Sequence, residues 1–247
     1  MLRLQIIASF AALFCAAGYA QSGSADRVTW QPSYSGSCQD CRLVGQQMPY
    51  WDLSNAHYGR ADLSYSTLHG SEAEGTYFTQ VTALHTDFSR ANLRNAHFQG
   101  ARMNSARLIG VDASGADFSG ATLDRIDARE AKLIGTNLSD VSAIHMLGFG
   151  ADFSAANAPG AKFDFATLRG AIFNGALLRN TSFIEADVAG ASFRDVRFQG
   201  ANLARMIGYA QADFSGACRS TETLMPPELR LPFCSDSGLA ALQSEAP

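Results

Sequence analysis

Cys38 and Cys41 are the first residues in this chain whose types and spacing could do chemistry. A Cys-x-x-Cys pair can exchange electrons, close a short disulfide or offer two thiolates to a metal. A redox pair usually draws its reactivity from a helix N-terminus that lowers one thiol pKa, and nothing helical follows Cys41. Two more cysteines, Cys218 and Cys234, lie far along the chain, and Cys15 sits in an apolar N-terminal run. If Cys15 is set aside, four cysteines allow three pairings, and their spacing alone does not choose. The histidines are dispersed, at His57, His69, His85, His97 and His145. Asp62, Asp87, Asp117, Asp152 and Asp187 recur singly, as outward motif residues, not as paired acids. The chain has no Gly-x-Ser-x-Gly, no phosphate-binding Gly-Lys-Ser/Thr loop and no His-Glu-x-x-His. These residues predict no catalytic centre, no cofactor and no metal site.

The elements that must carry these residues have an unusual period. From Leu53 to Leu203 there are 31 positions in steps of five, and Leu or Phe fills 21 of them. Two residues before each, Ala fills 18 of the 31 places, among them Ala56, Ala61, Ala91 and Ala201. Helices need an apolar period near 3.6 and half-buried strands a period of 2, so five fits neither. It fits a chain that turns a corner every five residues and points one large and one small side chain inward per side. Gly stands two places after the centre at 13 of 30 chances between Asn55 and Gly200, as at Gly100, Gly110, Gly120 and Gly170. That place reads as the corner, where positive φ is easiest for Gly.

Stretches such as Ala91-Asn92-Leu93-Arg94-Asn95, Ala116-Asp117-Phe118-Ser119-Gly120 and Ala201-Asn202-Leu203 resemble the pentapeptide repeat family. The resemblance spans roughly residues 36 to 216 and keeps its register from Leu53 to Leu203. It implies an all-β fold, a right-handed quadrilateral β-helix with twenty residues per coil and about eight coils, about 40 Å long on the usual strand spacing. Residues twenty apart should then stack, so Phe78, Phe98 and Phe118 form one expected ladder and Phe153, Phe173 and Phe193 another. On such a rod the cysteines fall at opposite ends. The implied disulfides are Cys38–Cys41 and Cys218–Cys234, since a disulfide needs Cα atoms within roughly 7 Å. They would pin the two ends, and oxidation suits an exported protein. The same geometry puts His57 and His97 two coils apart with Tyr77 between, too far for one metal ion.

The ends of the chain read differently. Arg3 precedes an apolar run from Leu4 to Ala17, and Gly18-Tyr19-Ala20 offers small residues at the −3 and −1 places of a secretory cleavage site. Residues 1–20 are expected to be a signal peptide, 21–35 a flexible leader, 36–216 the solenoid and 217–247 a C-terminal cap and tail. A periplasmic or secreted location follows from that signal. Pro226, Pro227 and Pro232 end regular coils, and the loop between Cys218 and Cys234 is expected to fold over the last coil. Net charge is −4 with both signs interspersed, which argues against nucleic acid as a partner.

Breaks in a regular solenoid are where function is expected. Between Ser71 and Thr86 the centres include Ala73 and Ala83, which predicts a loose coil with a corner bulge. Between Val141 and Gly150 the centres are Ala143 and Gly148, Met146 fills a small slot, and large residues stand at outward places. Either the frame slips locally and these side chains turn inward, or Ile144, His145, Leu147, Phe149, Phe165, Arg169 and Ile184 form an exposed partner surface. A near copy, Met206-Ile207-Gly208-Tyr209-Ala210, lies sixty residues on with one extra residue after it, which favours a structural bulge. The expected function is a non-catalytic exported scaffold with an unidentified protein partner and no evident small-molecule substrate. Some cytoplasmic members of the resembled family imply an alternative, a strongly acidic DNA-mimicking rod that protects a type II topoisomerase.

Overall fold

The computed structural model describes residues 36–235. The expected signal peptide, the leader and the last twelve residues of the tail lie outside them.

Side-chain size sets the local geometry. The large residue at each centre and the small residue two places earlier both point inward. Leu53, Ala61, Leu63, Phe78 and Phe88 are fully buried. The centre carbonyl then accepts a bond from the N–H three residues on, as in Ala56 N–H to Leu53 O at 2.9 Å. The residue two after the centre has positive φ at all 33 such places from Asp40 to Gly200, 19 of them non-glycine. Positive φ at the third residue is the type II turn pattern. Gly is therefore favoured at the corner but not required.

One coil takes four such five-residue units. Parallel bridges join residues twenty apart without interruption, from Arg42↔Asp62 to Asp187↔Ile207. Each bridge follows one rule: Leu43 N–H donates to Asp62 O at 2.7 Å, and Asp62 N–H donates to Cys41 O at 2.8 Å. The chain is a repeat β-helix whose core runs the length of the stack. Phe78, Phe98 and Phe118 stack with centroids 4.8 and 4.9 Å apart, and Phe153, Phe173 and Phe193 with 4.6 and 5.0 Å. Rings on opposite sides of the coil meet edge to face, as in Phe173 and Phe183 at 5.8 Å. Edge-to-face and offset contacts are the arrangements that ring quadrupoles favour.

Both expected irregularities inside the stack are absent. Residues 71–86 form regular coils, not a bulged one. Thr76 and Thr86 fill small inward slots, and their hydroxyls donate to Leu53 O and Leu63 O of the coil before, each at 2.7 Å. A buried hydroxyl with a carbonyl partner fits where an alanine would. Residues 141–150 do not slip either. Val141, Ala143 and Met146 are buried, and Asp127↔Leu147 and Leu147↔Thr167 keep the bridge pattern. Met146 fits because Gly148 leaves its own centre empty: the Met146 sulfur lies 3.5 Å from where a Gly148 Cβ would stand. The real insertion follows Ile207, where a 3-10 turn over Tyr209–Gln211 absorbs one residue and the next bridge is Ser192↔Asp213.

Beyond it the chain leaves the five-residue period. Strand β1 (Arg197–Phe198) pairs in parallel with β2 (Cys218–Arg219). Leu231 is buried, Met225 and Leu229 pack against the core, and the Thr223 hydroxyl donates to Phe198 O at 2.6 Å. The segment 219–235 thus lies over the last coil. Cys38 and Cys41 have Cα atoms 5.5 Å apart, and Cys218 and Cys234 4.8 Å, with the sulfurs of each pair at bonding distance.

Candidate partner surface

Every fifth residue, one before each centre, faces outward at the middle of a side, so residues twenty apart form surface columns. One column runs Asp127, Leu147, Thr167, Asp187, Ile207. Ile144 and His145 stand on the corner before Leu147, and Phe149 on the corner after it. Leu147 is 44%, Phe149 53% and Phe165 44% exposed. The imidazole of His145 stacks on Phe165 one coil on, centroids 5.1 Å apart. Ile144 and Ile184 are half-buried beside this corner, their N–H groups bonded to the carboxylates of Asp124 and Asp164 at 3.0 and 2.9 Å. The register thus brings the seven candidate residues onto one side of the rod and its two corners.

Ion pairs frame the apolar residues. Arg129 donates to Asp127 at 2.6 Å, Arg169 lies 3.4 Å from Asp187, and Arg205 pairs with Glu185. Partial burial works against the Asp127 carboxylate, but hydrogen bonds from the Arg129 side chain and backbone outweigh it and hold its pKa below the ordinary aspartate value. Arg169, one coil on from Phe149, is therefore already partnered within the chain. Apolar and aromatic residues amid arginines are the composition of protein-binding patches.

Ile207, 53% exposed, belongs to the same column but was not among the expected surface residues. Its distance from Leu147, three times twenty, was the available signal. The role of the outward aspartates was also missed. Asp52, Asp62, Asp87, Asp117 and Asp152 each accept the N–H two residues on, from Ser54, Ser64, Ser89, Ser119 and Ser154, at 2.9–3.1 Å. These Asx turns shape the corner, and the recurring Asp-x-Ser was the signal. The remaining histidines all lie against tyrosines: His57 and His97 stack on Tyr77 at 4.3 and 4.4 Å, His85 stacks on Tyr65 at 5.0 Å, and His69 meets Tyr50 edge-on at 5.7 Å. Among the described residues no three His, Cys, Asp or Glu side chains converge as metal ligands would.

The family model for pentapeptide repeats matches in eight copies, over residues 86–125, 149–183 and 171–205. The chain is a pentapeptide repeat protein. The matched repeats include Phe149, Phe165 and Arg169 of the surface just described. No curated protein matches this pentapeptide repeat protein. Among solved structures it is similar to HetL, a pentapeptide repeat protein involved in heterocyst differentiation regulation from the cyanobacterium Nostoc sp. strain PCC 7120. The two are 23% identical over 80% of this chain and 92% of HetL, with a TM-score of 0.42. Trypsin-treated QnrB1, a plasmid-mediated fluoroquinolone resistance protein, is 18% identical over 76% of this chain and 89% of its own, with a TM-score of 0.45. A pentapeptide repeat protein from the Arabidopsis thaliana thylakoid lumen is 25% identical over 54% and 76%, with a TM-score of 0.21.

Proposed function

We propose that this pentapeptide repeat protein is a non-catalytic, exported scaffold that presents one side of a rigid rod to a protein partner. In this reading the rod is a right-handed quadrilateral β-helix of about eight coils, closed at its ends by the disulfides Cys38–Cys41 and Cys218–Cys234, and it works in the periplasm or outside the cell. The observation that carries the reading is the cluster Leu147, Phe149 and Phe165, exposed on a side whose inward residues are fully packed. A solenoid needs nothing apolar at these outward places, so the cluster is free to serve recognition. The neighbouring arginines are balanced by acids, which suits a protein surface of mixed charge more than a polyanion.

In-cell crosslinking followed by identification of captured proteins tests it. Capture that is lost in the double variant Leu147→Ser, Phe149→Ser supports the surface. Capture that survives both substitutions removes it. The DNA-mimic alternative asks for a strongly acidic rod, and the net charge of −4 is mild. Fractionation separates the two readings: cytoplasmic protein with an uncleaved N-terminus revives the mimic.

A further inference from the structure

The side that carries Leu147 repeats its own pattern in reverse. Its middle column runs Thr67, Asp87, Arg107, Asp127, Leu147, Thr167, one residue per coil. The corner before it runs Tyr65, His85, Ser105, Arg125, His145, Phe165, each with positive φ. Outward from the midpoint between Ser105 and Arg125, this corner presents a histidine at the second place and an aromatic ring at the third, in both directions. Each ring pairs with its histidine: Tyr65 with His85 at 5.0 Å and Phe165 with His145 at 5.1 Å. Tyr65 is 64% and Phe165 44% exposed. The middle column reverses about the same level. A threonine stands at the third place both ways, and the first place holds Arg107 in one direction and Asp127 in the other. Reversal of this kind is what an isologous two-fold contact requires, because residue i meets j while j meets i.

We propose that this side binds a second copy of the chain, antiparallel, about a two-fold axis that crosses the side between Arg107 and Asp127. The inference rests on the reading of Leu147, Phe149 and Phe165 as a partner surface and names the partner. In this dimer Arg107 faces the partner's Asp127, and Asp127 faces the partner's Arg107, so four alternating charges surround the axis. The Arg107 side chain is 57% exposed and lies 3.8 Å from Asp87. The Asp127 carboxylate accepts Arg129 at 2.6 Å and keeps lone pairs for a second guanidinium. Farther out, the Tyr65–His85 pair meets the partner's Phe165–His145 pair on each side of the axis, and Leu147 is covered. Other alignments fail on charge. A parallel pair sets Arg107 on Arg107 and Asp127 on Asp127. An antiparallel axis through Arg107 sets two guanidinium groups together, and one through Asp127 sets two carboxylates together. Like charges face to face oppose association. A strand from another protein finds no backbone partner here, since Arg107 N–H donates to Thr86 O and Leu147 N–H to Ile126 O, each at 2.9 Å.

Thiol crosslinking of two purified cysteine variants tests it. Facing sheets pack about 10 Å apart, whereas the five coils from Thr67 to Thr167 span about 24 Å. Thr67→Cys and Thr167→Cys chains, mixed and treated with a bis-maleimide about 10 Å long, should give at least about tenfold more crosslinked dimer than either variant alone. Wild-type protein treated in the same way gives the background from the native cysteines. Arg107→Glu in both chains sets a carboxylate opposite Asp127 and should cut the mixed product about tenfold. Arg102→Glu, on the neighbouring side, should leave it unchanged. Sedimentation of the wild-type protein should show monomer passing to dimer as concentration rises. Equal product from the mixture and from either variant alone overturns the antiparallel axis, and equal losses with the two arginine variants overturn the charge pairing. Absence of mixed product overturns the second copy. Capture in cells that depends on Leu147 and Phe149 then keeps the surface and assigns it to a different protein, so the two readings fail separately.

Discussion

Phe214 stacks on Phe193 with centroids 5.1 Å apart and planes 8° from parallel, although twenty-one residues separate them. Every other rung of that ladder spans twenty. The 3-10 turn at Tyr209–Gln211 takes up the additional residue outside the core, so the ring column continues through the insertion. The core thus tolerates an extra residue only where it loops outward, because a shift within a side would turn every inward side chain over.

Removing a rung should be costly. Phe173 contacts rings on both neighbouring coils and across the core. Phe173→Ala is expected to destabilise by about 3–5 kcal/mol, the range for a buried aromatic truncated to alanine. Phe149→Ala, on the surface, should stay within about 0.5 kcal/mol. Chemical denaturation of the two variants beside wild type checks the contrast.

The inward hydroxyls divide into two kinds. Thr76 donates to Leu53 O, so Thr76→Val should cost about 1 kcal/mol and leave that carbonyl one partner short. The Ser71 hydroxyl is buried without a partner, so Ser71→Ala should be neutral or stabilising. Equal losses in both variants would contradict this assignment of bonds.

Two glycines with positive φ should respond differently to alanine. A Cβ on Gly150 would meet nothing within 4 Å, so Gly150→Ala carries only the conformational cost of about 1–2 kcal/mol. A Cβ on Gly208 would come within 2.8 Å of the Ala189 backbone nitrogen. Gly208→Ala should therefore lose more, with a lower melting temperature than Gly150→Ala.

Acid should weaken the rod through the mid-side aspartates that accept the corner N–H groups. The Ser215 hydroxyl and N–H, followed by Arg194, lower the Asp213 pKa to about 2. A carboxylate depressed in the folded state stabilises fully above its unfolded pKa, about 3.9, and that stabilisation is lost as pH falls through the folded value. For Asp213 the window runs from about 4 down to about 2. Asp52 is lowered by the hydrogen bonds from Ser54 in the same manner. Stability measured from pH 6 to pH 2 should fall across that window, and Asp213→Asn should flatten part of the slope.

The two proposed disulfides should differ in worth. Cys218–Cys234 closes a sixteen-residue separation and Cys38–Cys41 one of three. On a chain-entropy estimate the first contributes about 3 kcal/mol and the second less. Paired serine substitutions at each site, compared by denaturation under oxidising conditions, check the order.

The five-residue period was enough to settle which residues point inward. Leu53 and Ala56 are buried because their sizes and spacing admit one arrangement, and the ring ladders followed from that register. The closeness of Cys38 to Cys41 and of Cys218 to Cys234 also followed, once the cysteines were set on a rod. Local patterns read less well where an unusual residue had two physical outcomes. Thr76 could have disturbed its coil, but a carbonyl of the coil before lay within reach of its hydroxyl. Met146 could have forced a slip, but Gly148 had left it space. Both answers depend on residues two or twenty-three places away, which a repeat count does not weigh. Whether Leu147 and Phe149 face the core or water was likewise decided only by tertiary packing, since an outward place stays outward when the slots beside it can be filled.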